Sequence, residues 1–226
     1  MPQAFRILHV GPAKSEAFDL TSIEQQSRAA QRMGGTVVRY TGQSTAELIT
    51  ALQDVDVVMV QGHAFDPAAF AHMGLNGRCK GLVSFGHGFD HLDLAAATRN
   101  GVIVANTASF GTEEVSNHTI MHFLVCARKF VLHDKLVRSG GWTRKQLAPM
   151  GHVLGQTFGI VGLGDIGRAV ARKARAFGLQ VIAYDPYVAS WDALECGVEM
   201  VDTLQALCRR SDYVSVHVYL NEETHH

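Results

Sequence analysis

Residues 157–167 run Thr157-Phe158-Gly159-Ile160-Val161-Gly162-Leu163-Gly164-Asp165-Ile166-Gly167, and the fold of the second half of the chain turns on them. The first five predict a buried strand over 157–161, and helical spacing follows over 166–177. Three glycines stand between, each with its own physical job. Gly162 permits a tight strand-to-helix turn, Gly164 lets the backbone approach a pyrophosphate, and Gly167 allows the helix to pack close to the strand. Leu163, Asp165 and Ile166 complete the turn, and the helix N-terminus offers N–H groups and a positive dipole end to phosphates. Because 22 glycines among 226 residues produce such spacing by chance, the pattern alone is weak. Asp185 strengthens it by ending the next strand, Val181-Ile182-Ala183-Tyr184. A carboxylate there accepts hydrogen bonds from the adenosine ribose hydroxyls and repels a 2′-phosphate, so NAD is expected rather than NADP. The blander alternative leaves Asp185-Pro186 as a strand terminator.

Outward from this turn, further strands are expected over 180–184, 199–201 and 213–217, alternating with helices over 191–196 and 203–210. The N-terminal half shows the same alternation, with near-continuously apolar strands over 5–10, 36–40, 55–60, 81–85 and 102–106. Helical spacing lies between them over 21–33, 44–53, 67–73 and 92–99, with Thr21 and Ser44 as caps. One long helix is expected over 112–138, opened by Thr112-Glu113-Glu114, closed by Ser139-Gly140-Gly141 and packing between two lobes. The predicted class is α/β: a flavodoxin-like first lobe over 1–107 and a Rossmann dinucleotide domain over 108–226.

Composition excludes several classes. Lys+Arg 20 against Asp+Glu 21 leaves no basic excess for nucleic acid or an anionic membrane. Four dispersed cysteines, Cys79, Cys126, Cys196 and Cys208, fit reduced thiols better than a disulfide frame. The start Met1-Pro2-Gln3-Ala4-Phe5-Arg6 lacks the features of a signal peptide, and no apolar run reaches spanning length, so a cytoplasmic protein is expected.

Five ordered segments, taken with the glycine turn, resemble the D-isomer-specific 2-hydroxyacid dehydrogenases: 85–93 (FGHGFDHLD), 101–107 (GVIVANT), 112–119 (TEEVSNHT), 184–187 (YDPY) and 211–217 (SDYVSVH). Within that family, Asp185-Pro186-Tyr187 and Leu220-Asn221-Glu222 followed by His225-His226 look most like the C-terminal-binding-protein clade, with phosphoglycerate dehydrogenases close behind. The resemblance implies that Gly86, His87 and Gly88 bind a substrate carboxylate through backbone donors and that His87 touches the nicotinamide end of the cofactor. Relatives carry a small or β-branched residue at that place, so the imidazole either re-specifies the pocket or fills loop space. The resemblance also places Val218, Asn221 and Thr224 beside the adenine and phosphates. It implies a small 2-keto or 2-hydroxy acid substrate and a homodimer formed by the long helix and the loop 139–150.

In this family an Arg polarises the keto acid, a His moves the proton, and a Glu partners that His, all beyond the fourth strand. The sequence ends at His226 before them, so no catalytic residue is assigned to a number, and neither His217 nor His226 is promoted to the role. The expectation is an inactive fragment lacking about a hundred residues, its fourth strand left as an apolar edge. A cofactor-responsive corepressor is the second class of function that the clade resemblance keeps open.

Glu114, His118 and His122 share a helix face at metal-ligand spacing, but without an evident fourth ligand they are read as polar packing, and no metal is expected. Asp54, Asp56 and Asp93 are read as caps, Cys126 as core, and Arg168, Arg172, Lys173 and Arg175 as a solvated face.

Overall fold

The computed structural model describes residues 4–11, 21–61, 65–143 and 145–225. Met1-Pro2-Gln3 and His226 lie outside them, as does the Thr21 side chain. The chain divides into two compact units, Met1–Phe110 and Gly111–His226.

In the first unit, five parallel strands are built from short runs of Val, Ile and Leu: β1 (Arg6–Val10), β2 (Thr36–Arg39), β3 (Val57–Val60), β4 (Gly81–Ser84) and β5 (Ile103–Asn106). Their order, β2-β1-β3-β4-β5, is that of a flavodoxin-like sheet. Leu8, Val10, Val58, Val60 and Leu82 form its core with Leu48 and Leu52 of α2 (Thr45–Leu52) and with Phe65 and Phe70. After α1 (Thr21–Arg32), local chemistry starts the helices. Ser44 and Glu47 make a reciprocal capping box on α2, and Asp93 caps α3 (Leu94–Arg99) by accepting from Ala96 N–H at 2.8 Å. Asp56 instead pins a strand, accepting from Arg6 N–H at 2.7 Å and pairing with Arg78.

The second sheet joins β6 (Thr157–Val161), β7 (Gln180–Tyr184), β8 (Glu199–Met200) and β9 (Tyr213–Val216), all parallel, in the order β8-β7-β6-β9. This is the 3-2-1-4 arrangement of a dinucleotide fold. Against β6 and β7 pack Val170, Ala171 and Ala174 of α6 (Asp165–Ala176) and Ile120 and Phe123 of α4 (Thr112–Ala127). Phe123 meets Phe158 and Tyr213 edge to face, with ring centroids 5.5 and 4.8 Å apart.

Three expectations need correction. The single helix over 112–138 is two helices, α4 and α5 (Phe130–Arg138). Lys129 separates them at φ 50, a left-handed conformation unusual for a side-chain-bearing residue, and its Nζ donates to Leu147 O at 3.0 Å. Cys126 is exposed, because α4 turns Ile120 and Phe123 inward and leaves residue 126 on another face. Lys173 is not part of a solvated face. Its ammonium pairs with Glu113 at 2.8 Å and donates to the hydroxyl of buried Ser116, fastening α4 onto α6.

No helix among the described residues is long and apolar enough to cross a membrane.

Candidate cofactor site

The glycine turn lies at the carboxyl end of β6, between the ends of its neighbours β7 and β9. Gly162 has φ +92, and a β-carbon there would sit 2.7 Å from His217 O and 2.8 Å from Val218 Cγ1. A side chain is excluded by both backbone conformation and space. At Gly167 a β-carbon would fall 2.2 Å from Gly162 O, so α6 begins in direct contact with the turn. Gly164 is the opposite case. It caps α6, and nothing lies within 4 Å of its virtual β-carbon. The exposed Asp165 and partly buried Ile166 follow in the first helical turn, where N–H groups have no intrahelical partner. A bare backbone facing open space at a helix N-terminus suits a pyrophosphate.

Asp185, partly buried at the end of β7, holds this turn in place. Its Oδ2 accepts from Leu163 N–H at 2.8 Å and its Oδ1 from Tyr187 N–H at 2.9 Å. The other end of the Leu163 residue is fixed as well, since Arg168 Nε donates to Leu163 O at 3.1 Å. A carboxylate has about four acceptor positions, so two backbone bonds leave Asp185 able to take ribose hydroxyls.

Past β9, Val218 packs on Gly162, and Asn221 organises a turn by accepting from Glu223 N–H at 3.0 Å and Thr224 N–H at 2.9 Å through Oδ1. Asn221 N–H in turn donates to Thr224 Oγ1 at 2.9 Å. The structure therefore brings Gly162–Gly167, Asp185 and Val218 into one crevice, with Asn221 and Thr224 in the adjoining turn. His217 makes a 2.9 Å bond to Ser215 Oγ, and burial lowers its pKa by disfavouring the charged imidazole.

In the first unit, all three carbonyls of the Gly86-His87-Gly88 loop are tied down. Thr107 N–H donates to Gly86 O at 3.1 Å, Asn106 Nδ2 to His87 O at 2.8 Å, and Ser84 Oγ to Gly88 O at 2.7 Å. A trans peptide sets its N–H opposite its carbonyl, so the His87 and Gly88 N–H groups point away from those donors. The His87 ring bonds through Nδ1 to Ala108 O, and Gly86 N–H turns back onto Ser84 O at 3.0 Å.

One contact had no sequence signal: the Tyr187 hydroxyl donates to the Glu223 carboxylate, joining the loops after β7 and β9. Among the described residues, no three His, Cys, Asp or Glu side chains are grouped to hold a metal ion. The His118 and His122 rings instead meet edge to face at 4.4 Å.

Residues 120–226 match the D-isomer specific 2-hydroxyacid dehydrogenase family, in its NAD binding domain. Over that stretch the chain is similar to the NAD binding domain of that family. Among curated members of the dehydrogenase family, the D-3-phosphoglycerate dehydrogenase of Methanocaldococcus jannaschii is 33% identical over 192 residues, 85% of this chain and 36% of the relative. The hydroxypyruvate reductase of Thermotoga maritima is 35% identical over 180 residues, 80% of this chain and 56% of the relative. The chain thus spans between about a third and somewhat over half of these relatives' lengths. In fold it resembles the D-lactate dehydrogenase of Aquifex aeolicus, complexed with NAD and lactic acid, with TM-score 0.80 at 23% identity, covering 98% of this chain and 62% of that one. The matched domain is an NAD binding domain, and the open cradle at Gly164 and the carboxylate of Asp185 fit that cofactor.

Proposed function

We propose that this chain supplies the cofactor crevice and the carboxylate-binding loop of an NAD-dependent oxidoreductase that interconverts D-2-hydroxy acids and 2-keto acids. The observation that carries the proposal is the glycine turn clamped to Asp185, with space left only where a pyrophosphate needs it. NAD supplies the hydride acceptor and NADH the donor. The protein's part is to bind and orient. The Gly164–Ile166 backbone and the α6 dipole hold the diphosphate, Asp185 the adenosine ribose, and the residues after β9 flank the adenine. The His87 and Gly88 N–H groups receive the substrate carboxylate, while the His87 ring braces the loop against Ala108. No residue of this chain is assigned to proton transfer, so cofactor binding, rather than turnover, tests the proposal.

The test is a fluorescence titration with NADH and NADPH, repeated with Asp185→Ala. The expected result is saturable NADH binding that the substitution weakens, with the preference over NADPH reduced. Equal weakening of both cofactors would leave Asp185 a purely structural clamp, and no binding by a chain that melts cooperatively would remove the proposal.

A homodimer belongs to the same proposal. On α5, Phe130, Val131, Leu132 and Val137 are each half or more exposed, and no residue of that helix is buried. A helix with so much apolar surface open to water fits a subunit interface. Sedimentation at micromolar concentration is expected to show two copies; a monomer at millimolar concentration would refute it.

A further inference from the structure

The cofactor crevice carries a second fixed carboxylate besides Asp185. In the order β8-β7-β6-β9, β6 separates β7 from β9, so any link between the loops that follow those two strands crosses the end of β6, where the glycine turn lies. The Tyr187–Glu223 hydrogen bond is such a link. Both of its ends are anchored. Tyr187 N–H is bonded to Asp185 Oδ1 at 2.9 Å, so the phenol rises from the same turn as the ribose-binding carboxylate. Glu223 N–H is bonded to Asn221 Oδ1 at 3.0 Å, within the turn that Asn221 and Thr224 close. Glu223 is solvent-exposed, and the bond to Tyr187 tethers it to the loop that follows β7. Two negative charges converge on one phenol: the Tyr187 pKa is raised first by its bond to Glu223, then by the Glu223 charge and burial, and further by the charge of Asp185.

From this placement we infer that Glu223, positioned by Tyr187, is a second determinant of cofactor choice, adding its charge to that of Asp185 against the 2′-phosphate of NADP. The inference rests on the proposed NAD crevice. It extends that proposal by making the preference a property of two carboxylates from two loops, coupled by a phenol. A single-carboxylate crevice would leave residual discrimination to Asp185 alone. With Glu223 linked to Asp185 through Tyr187, either charge alone disfavours the phosphorylated cofactor, and salt screens part of the effect.

The experiment measures NADH and NADPH dissociation constants by fluorescence for the wild-type chain, Glu223→Gln, Tyr187→Phe and, as a charge-matched control, Glu222→Gln. Glutamine at 223 still accepts the Tyr187 hydroxyl, so the loop link persists while the charge is lost. The expected result is NADH affinity within about twofold of wild type, with NADPH binding improved roughly three- to tenfold. Half a molar salt should shrink that gain. Tyr187→Phe should shift the ratio in the same direction by less, and Glu222→Gln by less still. An unchanged ratio in Glu223→Gln, or an equal gain in Glu222→Gln, overturns the inference while leaving the NAD crevice standing. If the folded wild-type chain binds neither cofactor, the crevice proposal itself has failed.

Discussion

Adding one methyl group at Gly167 should damage the second unit, while the same methyl at Gly164 should leave its stability intact and abolish tight cofactor binding. At Gly167 the new carbon would stand 2.2 Å from Gly162 O and 3.2 Å from Gly162 C. Those are backbone atoms, and Gly162 is itself pinned by its N–H bond to Tyr184 O at 2.9 Å, so α6 must move. Overpacking of this kind costs about 1–3 kcal/mol, which in a unit of this size lowers Tm by roughly 5–15 °C. At Gly164 nothing lies within 4 Å and φ is −76, so alanine meets no clash and no backbone strain. Its methyl instead occupies the space offered to the diphosphate. Thermal melts followed by circular dichroism, paired with NADH titration, separate the two. Gly164→Ala should melt within about 2 °C of wild type and bind NADH at least tenfold more weakly. A Gly164→Ala protein that binds NADH normally would refute the assignment of that space, and an unshifted melt for Gly167→Ala would refute the close approach of helix and turn.

Other substitutions test other parts of the molecule. Lys173→Met should lower the denaturant midpoint of the second unit, losing on the order of 1 kcal/mol through the buried Ser116 hydroxyl, with the exposed Glu113 pair contributing little. An unchanged midpoint would return Lys173 to a solvated face. Burial pushes the Cys79 thiol up to about 11, so at pH 8 only about one molecule in a thousand carries the thiolate. Iodoacetamide followed by mass spectrometry should therefore label the exposed Cys126 and Cys208 but spare Cys79 until the protein unfolds. His9 is buried against Gln26, and desolvation lowers its pKa from 6.5. The unfolded chain then binds the extra proton first, so the stability due to neutral His9 is present above pH 6.5 and is lost as pH falls through the lowered value. Urea midpoints between pH 5 and 7 should show this slope in the wild type, and His9→Gln should flatten it; an equal slope in both would refute the contribution.

Both sheets were legible in the sequence because parallel strands covered on two faces need unbroken apolar runs, such as Val57–Val60 and residues 181–184, and those runs are local. The turn at 162–167 was legible for a related reason, since tight backbone geometry demands glycine whatever surrounds it. The helix break was not, because Lys129 carries a left-handed φ with neither glycine nor proline to announce it; the compensating bond to Leu147 O comes from another segment. The exposure of Cys126 was hidden for a different reason, as the apolar pattern of α4 has too weak a stripe to say which face is covered. Lys173 and Ser116 are 57 residues apart, and Tyr187 and Glu223 are 36 apart. Such partnerships leave no periodic trace in one sequence, and basic and acidic residues in exposed-looking contexts default to solvent.

The double engagement of Asp185 by the Leu163 and Tyr187 N–H groups bears on how this lineage could change its coenzyme. Replacing the carboxylate with a small neutral residue would remove repulsion and, in the same step, strand two amide donors and loosen the peptide that aims the helix. A viable path toward the phosphorylated coenzyme therefore passes through residues that retain an acceptor, Ser or Asn before Ala or Gly, or begins at a neighbouring position that can be neutralised without unpinning anything. The order in which such mutations are tolerated is thus set by the protein's own hydrogen bonds as much as by the ligand it comes to prefer.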